Sequence, residues 1–361
     1  MTGDERRLSI LRLVISFGLL TLLGIVFRKQ LGACFTTVRN AEVHFLLLAL
    51  LAYILFIWIS AWRWQVLLTA QGLYFPSWYL ARVFVLGLFF CKLLPTSIGG
   101  DVMRIAYTTK PTKGAEAFSA TFLDRLIGFE SLSFLAVVTA LFVAMQRADA
   151  LSLGGNRLTG FGVVLFLFAI FLLLFLFTMV LLNEASFRFL SSLLTKLDRR
   201  IPPLHRLTEL LTRAYQAVQQ YRHRPLALFL SFLSGIGVQA ALSLAWFFSA
   251  RAVMAKVPLG YYFIFIPLLN IVVNIPTIGG LGVREAAFVL FFTPNWLPGH
   301  LGKEQALATS LLFLALDLAF ALLGGLFFAF MRRAGKEQPV SEPECLTYSV
   351  SGGREKQKKE D

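Results

Sequence analysis

Charge is what this sequence has least of. Only 15 % of its 361 residues are Asp, Glu, Lys or Arg, whereas 57 % are hydrophobic; an ordinary soluble domain carries about 25 % charge. A soluble fold of this length would have to expose large apolar patches, and a bilayer supplies the missing apolar solvent. Cysteine is scarce too: Cys34, Cys91 and Cys345 are scattered and form no CxxC pair, which excludes a disulfide framework. The four histidines, His44, His205, His223 and His300, lack metal-ligand spacing. No GxSxG, Walker A or HExxH stretch occurs, so transport powered by ATP hydrolysis in this chain is excluded. No catalytic residue, metal or cofactor is expected, and no polar stretch is long enough to form a soluble catalytic domain.

What charge there is lies unevenly. The formal net charge is +14, but the Lys and Arg fall between apolar runs and form no nucleic-acid-binding module. Anionic lipid headgroups are the expected partner, and nucleic acid is not. A helix needs about 20 apolar residues to cross a bilayer. The runs that qualify are 8–27, 43–62, 126–145, 160–182, 226–250 and 304–331; the first is taken as an uncleaved span rather than a signal peptide. The segment 184–225 carries Arg188, Lys196, Arg199, Arg200, Arg206, Arg213, Arg222 and Arg224 against three acids, which predicts a cytoplasmic location. Its apolar residues recur at helical spacing, as in an amphipathic helix on the inner surface broken at Pro202-Pro203. Arg6, Arg7 and Arg12, and then Arg332, Arg333 and Lys336, predict both termini inside an inner membrane; Arg28, Lys29 and Arg39 argue against it. Residues 1–333 form one transmembrane domain on this view, and the polar tail 334–361 is expected to be disordered.

Two further apolar stretches are short and broken: 78–94, ending at Pro95, and 260–275, ending at Pro276. Both are followed by the same pattern, Ile-Gly-Gly-x-x-x-Arg, at Ile98 to Arg104 and at Ile278 to Arg284. Proline ends the incoming helix, and Gly99-Gly100 and Gly279-Gly280 allow unusual backbone angles and close approach of a ligand. The helix that starts there has free N–H groups and a positive dipole end, so an Arg expected in its first turn calls for something negative: a phosphate or a carboxylate. The bland alternative is a bent helix whose Arg pairs internally. Asp101, three residues before Arg104, could supply that pair. Glu285 adjoins Arg284, and i,i+1 neighbours do not face each other, so Arg284 needs another partner. If 78–110 and 260–293 are re-entrant hairpins, six full spans remain, and the hairpins enter from opposite faces as an inverted repeat whose turns meet near the midplane. If the second hairpin is two true spans, there are eight.

Charges within spans are functional candidates by default. Asp317, deep in the last run, is the expected partner of Arg284 or another buried cation. Asp124-Arg125 opens the third run, either as a functional pair or as an interfacial one. Lys92 can snorkel to the interface. Asn270 and Asn274 could face the same cavity or tie helices together.

Leu94-Pro95 through Arg104, Asp124-Arg125-Leu-Ile-Gly128, and Pro276 through Gly-Gly-Leu-Gly-Val-Arg-Glu285 resemble the membrane domain of lysylphosphatidylglycerol synthases, over roughly residues 8–333. The resemblance implies a flippase-like domain without the soluble aminoacyl-transferase, and therefore no synthase activity. A lipid translocase is expected, with Arg104 and Arg284 on the phosphate of an anionic headgroup, phospholipid or polyprenyl-phosphate-linked. Gly99, Gly100, Gly279 and Gly280 would give backbone access, with Asp101, Asp124, Arg125, Asn274, Glu285 and Asp317 around it. The rivals are a membrane-embedded transferase with Asp101 or Glu285 as base, and a scaffold for a separate glycosyl- or aminoacyl-transferase. A homodimer is a further candidate assembly.

Overall fold

Backbone N–H and C=O groups inside a bilayer must be satisfied within their own segment, so long apolar runs have to be helical. The computed structural model describes residues 41–93, 98–110, 113–146, 157–186, 188–189, 192, 205–273, 283–295 and 297–330. The ten α-helices considered are α1 (Val43–Ala70), α2 (Ser77–Leu93), α3 (Ile98–Thr108), α4 (Gly114–Gln146), α5 (Arg157–Leu182), α6 (His205–Gln219), α7 (Pro225–Arg251), α8 (Leu259–Val273), α9 (Val283–Phe292) and α10 (Lys303–Phe330). Among the described residues there is no strand.

Five of these helices, α1, α4, α5, α7 and α10, are long and apolar enough to cross a membrane. They match five of the six expected spans. The sixth, 8–27, lies outside the described residues, as do both termini and the tail. The protein is a multi-pass membrane protein, and its apolar exterior fits that setting: Leu173 of α5 is 69 % exposed and Leu290 of α9 is 69 % exposed, surfaces that only lipid or another apolar partner could cover favourably. α4 begins at Gly114, twelve residues before the expected start of its span. Asp124-Arg125 therefore sits inside a helix instead of opening one.

Each broken stretch forms a pair of short helices, α2–α3 and α8–α9. At 1.5 Å per residue, the 11 residues of α3 and the 10 of α9 reach only about 15–17 Å, half the hydrocarbon thickness. The described parts of these legs are too short to cross, which is compatible with re-entrant hairpins.

Two halves recur, α1–α4 and α7–α10, joined by α5 and α6. The central pair is α1 against α7. The Glu42 N–H before α1 donates to the Ala252 carbonyl after α7 at 3.0 Å, and Tyr221, just ahead of α7, donates its hydroxyl to the Leu67 carbonyl near the end of α1 at 2.9 Å. The two helices are thus antiparallel. The flanking contacts exchange between halves: α10 packs on α2, and α4 packs on α8. An antiparallel pair with swapped neighbours is what an inverted repeat requires.

Two large apolar cores are each built around one buried tryptophan, and the second draws residues from both halves. Trp64, Leu67, Leu68, Leu80 and Tyr107 pack together in the first; in the second, Trp246 stacks on Phe288 and Phe313 with ring centroids 4.8 and 3.9 Å apart. Backbones come very close where α2 meets its neighbours. A Cβ on Gly324 of α10 would overlap the Val85 carbonyl, and one on Gly100 of α3 would lie 2.7 Å from the Gly87 oxygen. Small residues are what permit such approach between membrane helices.

α6 carries the expected amphipathic pattern. Ala217 and Val218 are buried while Arg213 and Gln216 are exposed, and the helix packs on α4 and α5. The expected break at Pro202-Pro203 lies outside the described residues. Tyr221 is fully buried, and burial pushes its phenol up, so it stays a neutral donor to Leu67.

Candidate functional site

Both motif arginines are buried: Arg104 is 6 % exposed and Arg284 4 %. A guanidinium in an apolar bundle needs a carboxylate within reach, and each finds one on the long helix that follows its own motif. Arg104 Nη2 donates to Asp124 Oδ2 of α4 at 2.7 Å, and Arg284 Nη1 donates to Asp317 Oδ2 of α10 at 3.1 Å. The two halves therefore build the same Arg–Asp relationship from corresponding elements.

The first cluster is the larger. Asp124, 1 % exposed, accepts from Arg104 on one oxygen and on the other from Arg63 Nε of α1 at 2.7 Å. Asp101 pairs with Arg125 and lies 3.6 Å from Arg104 Nη1. Arg104 also stands over the Trp64 ring, 4.2 Å from its centroid. Arg63 fits because Gly128 and Gly235 leave room: a Cβ at Gly128 would lie 3.2 Å from Arg63 Nη1 and one at Gly235 3.5 Å. Among the described residues, three buried donors in this cluster have no hydrogen-bond partner: Arg63 Nη1, Arg104 Nε and Trp64 Nε1. Buried donors are rarely left so. Their number leaves the cluster with donor capacity to spare after its aspartates are served.

The second cluster is more nearly balanced. Asp317 Oδ2 takes both Arg284 and Lys92 Nζ of α2, the latter at 2.5 Å, and Asp317 Oδ1 accepts the Tyr53 hydroxyl of α1 at 2.8 Å. Arg284 also reaches Glu285 Oε1, at 3.0 Å from Nη2. Lys92 lies at the end of α2 and Arg284 at the start of α9, so the edges of the two broken segments meet on Asp317, fifteenth of the 28 residues of α10.

Four sequence expectations are corrected here. Arg284 does pair with its neighbour Glu285, because at the first turn of α9 its long side chain can curl back. Lys92 does not snorkel: its side chain is 11 % exposed and bound to Asp317. Asp124 and Arg125 do not act as an interfacial pair, since Asp124 faces Arg63 and Arg104 while Arg125 faces Asp101. Arg104 is not in the first turn of its helix, because α3 already begins at Ile98 and Gly99, Gly100 and Asp101 fill that turn. Asn270 donates to Gln239 of α7 at 3.4 Å, the interhelical role. Asn274, Gly279 and Gly280, with Pro95 and Pro276, lie outside the described residues.

Sequence reasoning missed Arg63, Lys92 as a buried partner, and Tyr53. For Arg63 a signal existed: it sits between Trp62 and Trp64, and ending the span at 62 set it aside. Among the described residues, no group of three or more His, Cys, Asp or Glu could hold a metal ion.

A family model described as the lysylphosphatidylglycerol synthase TM region matches residues 9–325. The chain belongs to this family. The matched region takes in both motifs and both charged clusters of this lysylphosphatidylglycerol synthase transmembrane region. No curated protein and no solved structure matches it. Membership supports a membrane, lipid-related role for the protein.

Proposed function

We propose that this protein is a lipid translocase that binds an anionic lipid headgroup, phospholipid or polyprenyl-phosphate-linked, between its two re-entrant hairpins. One observation carries the reading: corresponding arginines of the two repeats, Arg104 and Arg284, are buried near the broken segments and held by Asp124 and Asp317. A charged group is kept at such depth at considerable cost, and the usual return is a substrate path. A phosphate can take the spare donors of Arg63, Arg104 and Trp64 in charge-assisted bonds. The first cluster is the headgroup's seat. The second joins the hairpins of the two repeats through one carboxylate, the kind of contact that alternating access must break and remake. No covalent chemistry is part of the reaction. The protein sits in the inner membrane with both termini cytoplasmic, as its loop charges argue.

The test is headgroup flipping in proteoliposomes. The reading expects an Arg104→Ala, Arg284→Ala double variant to lose transport while a correctly eluting, folded chain is still recovered. Wild-type flipping by that variant would overturn it.

A further inference from the structure

A second site opens on the other side of α4. Between α4, α5 and α7 lies a cavity of about 340 Å³, within the size range of small-molecule pockets. Its wall is aromatic: Phe134 packs on Phe171 and Phe232 with centroids 5.6 and 5.5 Å apart, and Phe171 stacks on Phe175 at 6.1 Å. Into it faces one acid, Glu130, only 5 % exposed, whose carboxylate accepts the Thr178 hydroxyl.

Glu130 differs from the four acids of the central clusters. Asp101, Asp124, Glu285 and Asp317 each have a guanidinium or ammonium in contact. Among the described residues Glu130 has none: no cation lines the cavity, and a hydroxyl is its one hydrogen-bond partner. A carboxylate in apolar surroundings must gain a positive charge or give up its own. The cavity beside it is far larger than a proton needs, and five phenylalanines line it with aliphatic side chains; aromatic rings attract cations through their quadrupole. Phe229 and Met179 at its rim are 61 % and 46 % exposed on the lipid-facing surface, which gives entry from the bilayer.

We propose that the cavity bounded by Glu130, Thr178 and the phenylalanines of α4, α5 and α7 binds an amphiphilic organic ammonium ion, entering from the bilayer with its charge on Glu130 and its apolar body against the rings. It is separate from the headgroup seat: Glu130 lies six residues beyond Asp124, about 9 Å along the helix and on a different side of it.

The probes are benzyltrimethylammonium and its uncharged isostere neopentylbenzene, which differ only in N⁺ for C. Binding is measured by equilibrium dialysis against the purified full chain in nanodiscs of zwitterionic lipid, with empty nanodiscs as the blank. The cation should saturate one site per chain and bind at least tenfold more tightly than the isostere. Glu130→Gln should remove that preference and Glu130→Asp should restore part of it. Equal binding of the two probes to the wild-type chain would mean a merely apolar cavity and would overturn the proposal. So would absence of saturable cation binding, the result expected if Glu130 holds only a proton. Both decisive comparisons use the wild-type protein, so neither depends on a variant folding.

Discussion

Lys92 and Arg284 grip the same oxygen, Oδ2 of Asp317, at 2.5 and 3.1 Å. They come from the first leg of one broken segment and the second leg of the other. One carboxylate on α10 thus links the two repeats, and its remaining oxygen is held by Tyr53 of the central helix pair.

Removing that charge should therefore cost more than one ion pair. Asp317→Asn leaves two buried cations facing each other, and loss of one partner from a buried pair costs about 3–5 kcal/mol. A large fall in melting temperature of the detergent-solubilised chain is expected. Adding Lys92→Met should recover much of it, because Arg284 still has Glu285. If the two substitutions simply add, the shared-carboxylate arrangement is wrong.

Arg104 should not tolerate lysine. Its guanidinium bonds Asp124, approaches Asp101 and stands over Trp64 at once, and an ammonium cannot match that planar fork. Arg104→Lys keeps the charge, so folding should survive while headgroup flipping falls about tenfold, the cost of about 1.4 kcal/mol. Flipping rates in proteoliposomes, measured beside size-exclusion profiles, decide the point.

How much of this was legible beforehand depended on the interaction's range along the chain. Apolar run length located α5, α7 and α10 to within three residues, since crossing a bilayer sets length directly, but it stopped α1 at 62, eight residues before Ala70. The start of α4 escaped because Gly114 to Arg125 is polar enough to resemble a loop, yet its Asp124 is buried by contacts from α1 and α3. The motif pair pointed to Arg104 and Arg284, and the Arg284–Asp317 contact followed from two unpaired charges needing each other. Arg63, Lys92 and Tyr53 stayed hidden because their roles depend on helix-to-helix register, as in Tyr53 meeting Asp317 across 264 residues; no local pattern encodes that. The glycines tell the same story: Gly100 was singled out for a ligand's approach, and the structure sets it against the backbone of α2.

That placement makes a steric prediction. Gly100→Ala puts a methyl group 2.7 Å from the Gly87 carbonyl oxygen and 2.5 Å from Cys91 Sγ, and overpacking of this kind costs about 1–3 kcal/mol. The melting temperature should drop. Gly162→Ala in α5 meets nothing within 4 Å, so it should be neutral or slightly stabilising, as alanine favours a helix by up to about 1 kcal/mol. Equal losses from both would show that α2 and α3 are not in close contact.

The antiparallel central pair fixes which ends share a side of the membrane. The Gln71 side-chain amide, just past α1, donates to the Ala217 carbonyl of α6 at 2.7 Å, so the end of α1, the end of α6 and the start of α7 lie together. Met254, just beyond the far end of α7, is 69 % exposed and lies near the beginning of α1, where Glu42 meets Ala252. Cysteines placed at Arg222 and Met254 in a background lacking Cys34, Cys91 and Cys345 should report opposite faces, and the proposed orientation puts the basic 184–225 segment inside. A membrane-impermeant maleimide added to intact cells is expected to label Met254→Cys and to spare Arg222→Cys until the membrane is opened. Labelling of both from outside would break the antiparallel pairing of α1 and α7, and with it the inverted relation of the two halves. The reverse pattern would keep that relation and turn the whole protein over.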